Sequence, residues 1–307
     1  MNVLRTLAKG FKKPRITAWI LINKMARLFS DEQLLKLQYR IMMGRKLNLE
    51  NPTTFNEKLQ WLKIYNKCES YTQMVDKYSA KEYVSSKIGN KYIIPTIGVW
   101  SSTDEIEWDK LPNEFVLKTT HGGGNCGVVI CKDKETADIK SIVMKLNASM
   151  KQDLFVTSRE WPYKNVHRRI IAEPYMEDVK THELRDYKFF CFNGKIKALF
   201  IGSERQRREE PFFDFFDSDF NPLPIKQGHP NSQNKPERPV CFEEMKIVAS
   251  KLSEGIPHVR VDLYEVNGKV YFGELTFFHF GGVVPFEPEE WDYKFGEWIK
   301  LPLNKVL

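Results

Sequence analysis

Apolar positions recur at helical spacing in the first 66 residues and at strand spacing through much of the remaining chain. Ile16, Trp19, Ile20, Asn23 and Met25 lead into an amphipathic turn, and Asp31 is placed to cap a helix bearing Leu34, Leu35, Leu37 and Ile41. Pro52 opens a new segment, in which Thr53 or Thr54 caps a helix carrying Phe55, Leu59, Trp61, Leu62 and Tyr65. The spacing predicts a further helix over 74–88, ended by Gly89, then a β-rich stretch over 92–97 and a turn at Leu111-Pro112-Asn113. A strand over 115–118, a glycine loop over 121–125, a strand over 127–131 and a helix over 135–150 form the next unit. Strands are expected over 170–175 and 187–192, the second turning at Asn193-Gly194 into 195–201. A proline-rich loop over 222–239, a helix over 243–253, a hairpin over 259–278 and a helix over 289–299 complete the chain. No internal repeat is visible.

Composition narrows the class. With 42% hydrophobic residues, 21 Phe and 7 Trp in 307 residues, the chain can bury large cores, which excludes disordered and collagen-like proteins. Seven basic residues and no acid lie in residues 1–30, so this end holds the whole net charge of +7. A charge-neutral body argues against a nucleic-acid protein with basic residues spread along it. The five cysteines form no C-x-x-C pair and read as reduced thiols, which suits the cytoplasm. The apolar run at 16–22 is far short of the roughly 20 residues that span a bilayer, and it lacks the cleavage site of a signal peptide.

Chemistry first concentrates in FVLKTTHGGGNCGVVI, where Lys118 ends a strand and Gly122, Gly123 and Gly124 come directly after it. Glycines let successive N–H groups surround a phosphate, and the lysine adds a point charge. A P-loop or a Rossmann turn would open a helix, whereas here a strand comes next. A lipase oxyanion loop would need a G-x-S-x-G elbow, which is absent, and a kinase would place its glycine loop before the lysine. A flexible hairpin tip is the bland alternative.

The second concentration is VRVDLYEVNGKVYFGELTF, which puts Arg260, Asp262 and Glu274 on two antiparallel strands. A two-residue Asn267-Gly268 turn pairs Val266 with Lys269 and sends Asp262 and Glu274 to opposite faces. A three-residue turn pairs Arg260 with Glu274 and keeps Asp262 on the same face. Only the second lets the two carboxylates share a metal, for which Mg²⁺ is the suitable ion. The competing reading is an Arg260/Glu274 ion pair with Asp262 solvated.

In this order the parts resemble the ATP-grasp superfamily, and from about Leu49 onward its TupA-like branch. The stretches NPTTFNEKLQWLK, DKYSAKEYV, FVLKTTHGGGN, IIAEPYM, DYKFFCFNGKIK, VRVDLYEVNGKVYFGELTF and EPEEWDYKFGEW carry the resemblance. It implies an α+β ATP-grasp fold, two α+β lobes clamping ATP, with an N-terminal helical extension over 1–66. Beyond it come a pre-ATP-grasp region over 67–113, a glycine-loop subdomain over 114–176 and a C-terminal subdomain with the metal site over 177–307. The implied activity is that of an ATP- and Mg²⁺-dependent carboxylate–amine ligase working through an acylphosphate.

By the same resemblance Lys77 and Lys118 contact phosphate, and Gly122 to Gly124 cover the γ-phosphate. Glu173, Tyr175 and Met176 belong to the hinge that reads adenine, Asp186 lies near the ribose, and Lys188 is a further phosphate contact. Asp262 and Glu274 ligate the metal, and Arg260 steadies the tetrahedral intermediate. The chain departs from the pattern at Thr276, where many ATP-grasp ligases have an Asn that completes the metal site, and at Phe278-His279-Phe280-Gly281-Gly282, where a Pro-Gly turn is frequent. His279 reads as a packed loop residue rather than an acid or base.

TupA-like proteins are associated with cell-surface polysaccharide biosynthesis. This implies as partners an amino-acid or peptide amine and a sugar carboxylate such as a uronic acid, on a nucleotide- or lipid-linked glycan. Arg205, Arg207 and Arg208, interleaved with Glu204, Glu209 and Glu210, either bind an acidic glycan or form a solvated charge run. The rival reading is a glycosyltransferase in which Asp217-Ser218-Asp219 holds a metal and a sugar nucleotide; a non-catalytic scaffold or glycan-binding module is a third. Residues 1–30 have the basic and apolar make-up of an interfacial helix, which would place a cytoplasmic enzyme in peripheral contact with the inner face of the membrane; the alternative is a basic helix docked on the protein's own neutral body.

Overall fold

The structure, a computed structural model, describes residues 14–124, 127–203 and 210–306. Helix α1 (Pro14–Lys24) lies against α2 (Asp31–Met43). Ser30 caps α2 in place of Asp31: its Oγ accepts from the Gln33 N–H at 3.3 Å while the Gln33 side chain accepts from the Ser30 N–H at 3.1 Å. Asp31 becomes the first helical residue, where its charge still complements the helix dipole. Helix α3 (Phe55–Tyr65) starts with the same reciprocal arrangement, made by Thr54 and Glu57.

The helix expected over 74–88 is two, α4 (Ser70–Val75) and α5 (Ser79–Ile88). Asp76 breaks it, its carboxylate accepting from the N–H groups of Tyr78 at 2.8 Å and Ser79 at 3.0 Å. Strand pairing begins at β1 (Gly98–Trp100), later than the apolar run over 92–97 indicates. Of that run, Ile97 alone joins the sheet's edge, its N–H donating to the Ala172 carbonyl at 2.8 Å.

Two antiparallel sheets organise the rest. The smaller has the order β1-β4-β2-β3 and comprises β2 (Phe115–Thr119), β3 (Val128–Cys131) and β4 (Ile170–Pro174). Helix α6 (Ile139–Met150) covers it, and Trp100, Phe115, Leu117, Val129, Leu146 and Ala172 form its core. Helix α7 (Leu154–Ser158) comes after α6.

The larger sheet has the order β7-β6-β5-β8-β9, from β5 (Asp186–Phe192), β6 (Lys195–Ser203), β7 (Phe212–Asp217), β8 (Val259–Val266) and β9 (Lys269–Thr276). Helix α8 (Phe242–Leu252) packs on it, and α9 (Glu290–Trp298) packs on α3. Asn193-Gly194 and Asn267-Gly268 both make two-residue turns with positive φ at each position (47° and 78°, 51° and 72°).

The two cores cut across the four segments read from the sequence. Phe55, from the segment read as an extension, sits edge-on to Phe190, Phe286 and Phe295 at 6.1, 5.9 and 5.6 Å between ring centres. Helix α3 therefore belongs to the larger lobe. The four described cysteines, Cys68, Cys131, Cys191 and Cys241, are free thiols. Among the described residues no helix is long and apolar enough to cross a membrane.

Candidate active site

A cleft of about 620 Å³ opens between the two sheets. Six lysines (Lys77, Lys81, Lys118, Lys132, Lys145, Lys188) line it against four carboxylates (Glu173, Glu183, Asp186, Glu274), an excess that suits a polyanionic ligand. Lys77, Lys118, Gly124, Glu173, Tyr175, Met176, Asp186, Lys188 and Glu274, all picked out in the sequence, meet here. Gly122, Asp262 and Arg260 contact lining residues, namely Lys77, Lys188 and Glu274, whereas Gly123 is not part of the lining. Val116, Ile130, Tyr264 and Phe272 supply apolar wall, as a base-sized aromatic ligand requires.

The glycine segment joins β2 to β3 as a hairpin loop. Lys77 reaches it from the turn before α5: its N–H donates to the Thr120 carbonyl at 3.1 Å, and its ammonium donates to the Gly122 carbonyl. Gly127 closes the loop where only glycine fits, since a methyl group there would lie 2.1 Å from Thr119 Oγ1 and 2.3 Å from Ser149 Oγ. Asn125 and Cys126, at the loop's end, lie outside the described residues, as do residues 204–209 with Arg205, Arg207 and Arg208.

Lys118 and a lysine that sequence reading passed over, Lys81, both contact Glu173, each at 2.6 Å. Burial by itself would raise the Glu173 carboxyl, but Lys118 and Lys81 more than offset this and lower it. Glu173 thereby fixes two ammonium groups at the cleft wall. The signal for Lys81 was its position four residues after Lys77 in DKYSAKEYV.

The floor comes from the larger sheet. Neither turn alternative for the last hairpin describes it. The turn has two residues and pairs Val266 with Lys269, yet Asp262 stands opposite Glu274. A bulge reconciles the two: Leu263 pairs with Phe272, Asp262 with Glu274, and Gly273 is the unpaired extra residue. A methyl group at Gly273 would lie 3.0 Å from the Asp262 carbonyl and 3.0 Å from the Tyr264 ring, so the bulge calls for glycine.

Lys188, on central strand β5, pairs in register with Asp262, so Lys188, Asp262 and Glu274 form a row across three strands. The Lys188 ammonium contacts Asp262 and lies 3.2 Å from Asp186. Arg260 grips Asp262 with two hydrogen bonds, both 2.7 Å, and donates to Thr276 Oγ1 at 3.0 Å and Glu274 at 3.3 Å. Asp262 is fully buried rather than solvated. Burial would raise the Glu274 carboxyl, but Lys77, Lys188 and Arg260 outweigh it and hold it at about 2. Burial also lowers Lys77 and Lys188, which the surrounding carboxylates only partly counter.

His279 is a packed residue, as its spacing suggested. Arg260 Nη1 donates to its Nδ1 at 2.8 Å, which leaves Nε2–H to donate to Gln227 Oε1 at 3.0 Å. Burial and then Arg260 push it well below the usual histidine range, so it is neutral. Asp217 of the D-x-D triplet accepts from the N–H groups of Asp219 at 2.9 Å and Asn221 at 2.8 Å, closing the turn after β7. That carboxylate has a structural task, and neither Asp217 nor Asp219 lines the cleft.

Two α+β lobes facing each other across a cation-rich cleft make up the ATP-grasp fold. The chain belongs to the TupA-like ATPgrasp family, whose model matches residues 57–300. Among solved structures it is similar to D-alanine–D-alanine ligase from Bacillus anthracis (19% identity, TM-score 0.38), over 66% of this chain and 57% of that one. The Helicobacter pylori D-alanine–D-alanine ligase is 14% identical with a TM-score of 0.43, over 80% and 69%. The ATP-grasp ligase PsnB, solved with minimal precursor, Mg and ADP, is 10% identical with a TM-score of 0.38, over 80% and 62%. The chain therefore spans little more than half the length of the first of these. No curated protein matches it in sequence.

Proposed function

We propose that this chain is an ATP-dependent carboxylate–amine ligase that activates a sugar carboxylate, of the uronic-acid kind, as an acylphosphate and joins it to the amine of an amino acid or peptide. The product would serve capsular, exopolysaccharide or other cell-surface polysaccharide synthesis. The observation that carries the reading is the Gly273 bulge, which brings Asp262 and Glu274 into one row with Lys188 under a lysine-lined cleft. The sugar side follows from the association of TupA-like proteins with cell-surface polysaccharide synthesis.

In this reading Lys77, Lys118 and Lys188 neutralise the triphosphate, and the 122–124 loop covers it and excludes water, protecting an acylphosphate from hydrolysis. Tyr175 and Met176 border the adenine, and Asp186 the ribose. Arg260, fixed by five hydrogen bonds, stands ready for negative charge on the acyl oxygen without having to reorganise.

The donor set fits Mg²⁺. Glu274 is a hard oxygen donor on the cleft wall that stays ionised, Asp262 is its cross-strand partner, and one or two carboxylates plus nucleotide phosphates are what this ion uses. Asp262 would join Glu274 in holding the ion once Lys188 turns from it to a phosphate. When bound, the ion would supply charge neutralisation at the phosphate oxygens. Thr276, hydrogen-bonded to Arg260, stands beside this pair.

The test is to incubate the protein with ATP, Mg²⁺, glucuronate or galacturonate and a set of amino acids, monitoring ADP and phosphate. ADP release that requires both co-substrates is expected. Release of UDP from a sugar nucleotide without ATP consumption would overturn the assignment.

The basic N-terminal segment supports peripheral attachment to anionic membrane. Leu21, Met25 and Leu28 are exposed at 55%, 50% and 74%, beside Lys24 and Arg27. Residues 1–13, with four of the seven basic residues, lie outside the described residues. This segment is also tied to the body, because Arg159 donates to the carbonyls of Ala26 at 2.7 Å and Phe29 at 3.0 Å. Leu21→Ser combined with Leu28→Ser keeps those ties and is expected to weaken binding to phosphatidylglycerol vesicles by about tenfold or more, in line with burial of two leucines. Unchanged vesicle binding in a flotation assay would contradict the attachment.

A further inference from the structure

A second polar corner lies at the loop whose His279 accepts from Arg260 at 2.8 Å, and none of its residues, Lys63, Glu160 and Gly281, lines the nucleotide cleft. Helix α7 ends at Arg159, whose φ of 53° is uncommon and costly for a residue with a side chain. Besides Ala26 and Phe29, its guanidinium holds the Val156 carbonyl at 2.7 Å and Asp31 at 3.0 Å, so the reversal is locked in place. The next residue, Glu160, is thereby turned inward, with its N–H on Ser158 Oγ at 3.1 Å.

The facing loop is held equally firmly. Phe280, Gly281 and Gly282 all have positive φ (49°, 61° and 66°). Gln60 of α3 donates to the carbonyls of Gly281 and Gly282, both at 2.8 Å. Lys63 of the same helix donates to the Gly281 carbonyl at 2.8 Å and to the Ser158 carbonyl at 3.0 Å, tying the loop to α7.

A methyl group placed on Gly281 would lie 3.8 Å from Glu160 Oε1 and equally 3.8 Å from Lys63 Nζ. An acid and an ammonium thus flank one point above a glycine that has no side chain to fill it. Glu160 is half-buried, and among the described residues no hydrogen bond reaches its carboxylate, which leaves the oxygens open to a ligand. Burial pushes this carboxyl up, with Lys63 and Arg260 countering only in part; burial likewise lowers Lys63. The Tyr163 phenol, raised by burial, is a further titratable group that senses Glu160.

We infer that Glu160 is the base that takes the proton of the incoming amine, and that the corner between Glu160, Lys63 and Gly281 seats that co-substrate. The inference rests on the ligase reading. The substrate ammonium gives one proton to Glu160, and the freed lone pair forms the C–N bond at the acyl carbon. The C–O bond to phosphorus's bridging oxygen breaks, phosphate leaves with that electron pair, and it takes up the second nitrogen proton as the amide forms.

The test compares Glu160→Gln with the parent protein, using ATP, Mg²⁺ and glucuronate with either alanine or hydroxylamine. Alanine arrives as an ammonium ion and needs a base; hydroxylamine is largely uncharged at neutral pH and does not. The variant is expected to lose about a hundredfold or more in kcat with alanine. Hydroxylamine should restore product, as hydroxamate, to within about tenfold of the parent, a margin well inside that loss. Undiminished ligation of alanine would overturn the role of Glu160 and leave the ligase reading standing. Loss of both products would assign Glu160 to the fold or to the carboxylate substrate and overturn its role as base. Hydroxamate absent from the parent protein would instead strike the ligase reading, and the inference with it.

Discussion

Replacing Asp262 by Asn is expected to reduce ATP turnover by at least about a hundredfold, and to cost the fold roughly 3–5 kcal/mol, the range for breaking a buried ion pair. The size reflects the position of the residue. Asp262 is fully buried, with two hydrogen bonds from Arg260 and an ion pair with Lys188. An amide has nearly the same shape but no charge, so Lys188 and Arg260 would be left with Asp186 and Glu274 as their ion-pair partners. Their positions would relax, and Arg260 would lose the grip that orients it. Urea unfolding measures the first effect and ADP release at saturating ATP the second. A variant as stable and as active as the parent would remove Asp262 from both roles.

Lys118→Ala should separate chemistry from folding. Lys118 lies on β2 with its ammonium at the cleft wall, and Glu173, its partner, keeps Lys81 when it is removed. The expected stability change is therefore about 1 kcal/mol or less. Loss of one preorganised positive group at the phosphates is expected to lower kcat/KM for ATP by about 100- to 1,000-fold. Equal kcat/KM in parent and variant would exclude Lys118 from the phosphate site. Together the two substitutions predict opposite patterns: one disturbs fold and turnover alike, the other turnover alone.

Much of this site could be read in the sequence because its signals are local. A threonine cap at 53 or 54, the Asn-Gly turns and the lysine before three glycines need only neighbours a few residues apart. The carboxylate row needed more. The sequence showed Asn267-Gly268 but left a two- or a three-residue turn open, and the register at Asp262 depends on Gly273, whose lack of a side chain accommodates the Asp262 carbonyl and the Tyr264 ring. A glycine inside an otherwise regular strand was the available sign.

Other features depend on distant parts of the chain. The apolar run over 92–97 reads as a strand, yet its sheet pairing is confined to the Ile97 bond to Ala172, since pairing is decided by β4 some seventy residues on. Asp76 interrupts a helical pattern by accepting two backbone N–H groups, a competition that periodicity does not register. Glu160 had no local mark at all. Its setting arises from Arg159 anchoring to residues 26–31 and from α3 holding the 279–282 loop, contacts that exist only in the folded chain.

The central claim is that ATP activates a carboxylate by phosphorylating it. It is tested most directly by tracing oxygen. Glucuronate labelled with heavy oxygen in its carboxyl group, turned over with ATP, Mg²⁺ and alanine, should pass one labelled atom to each phosphate released. Phosphate free of label, formed while the amide product accumulates, would contradict it.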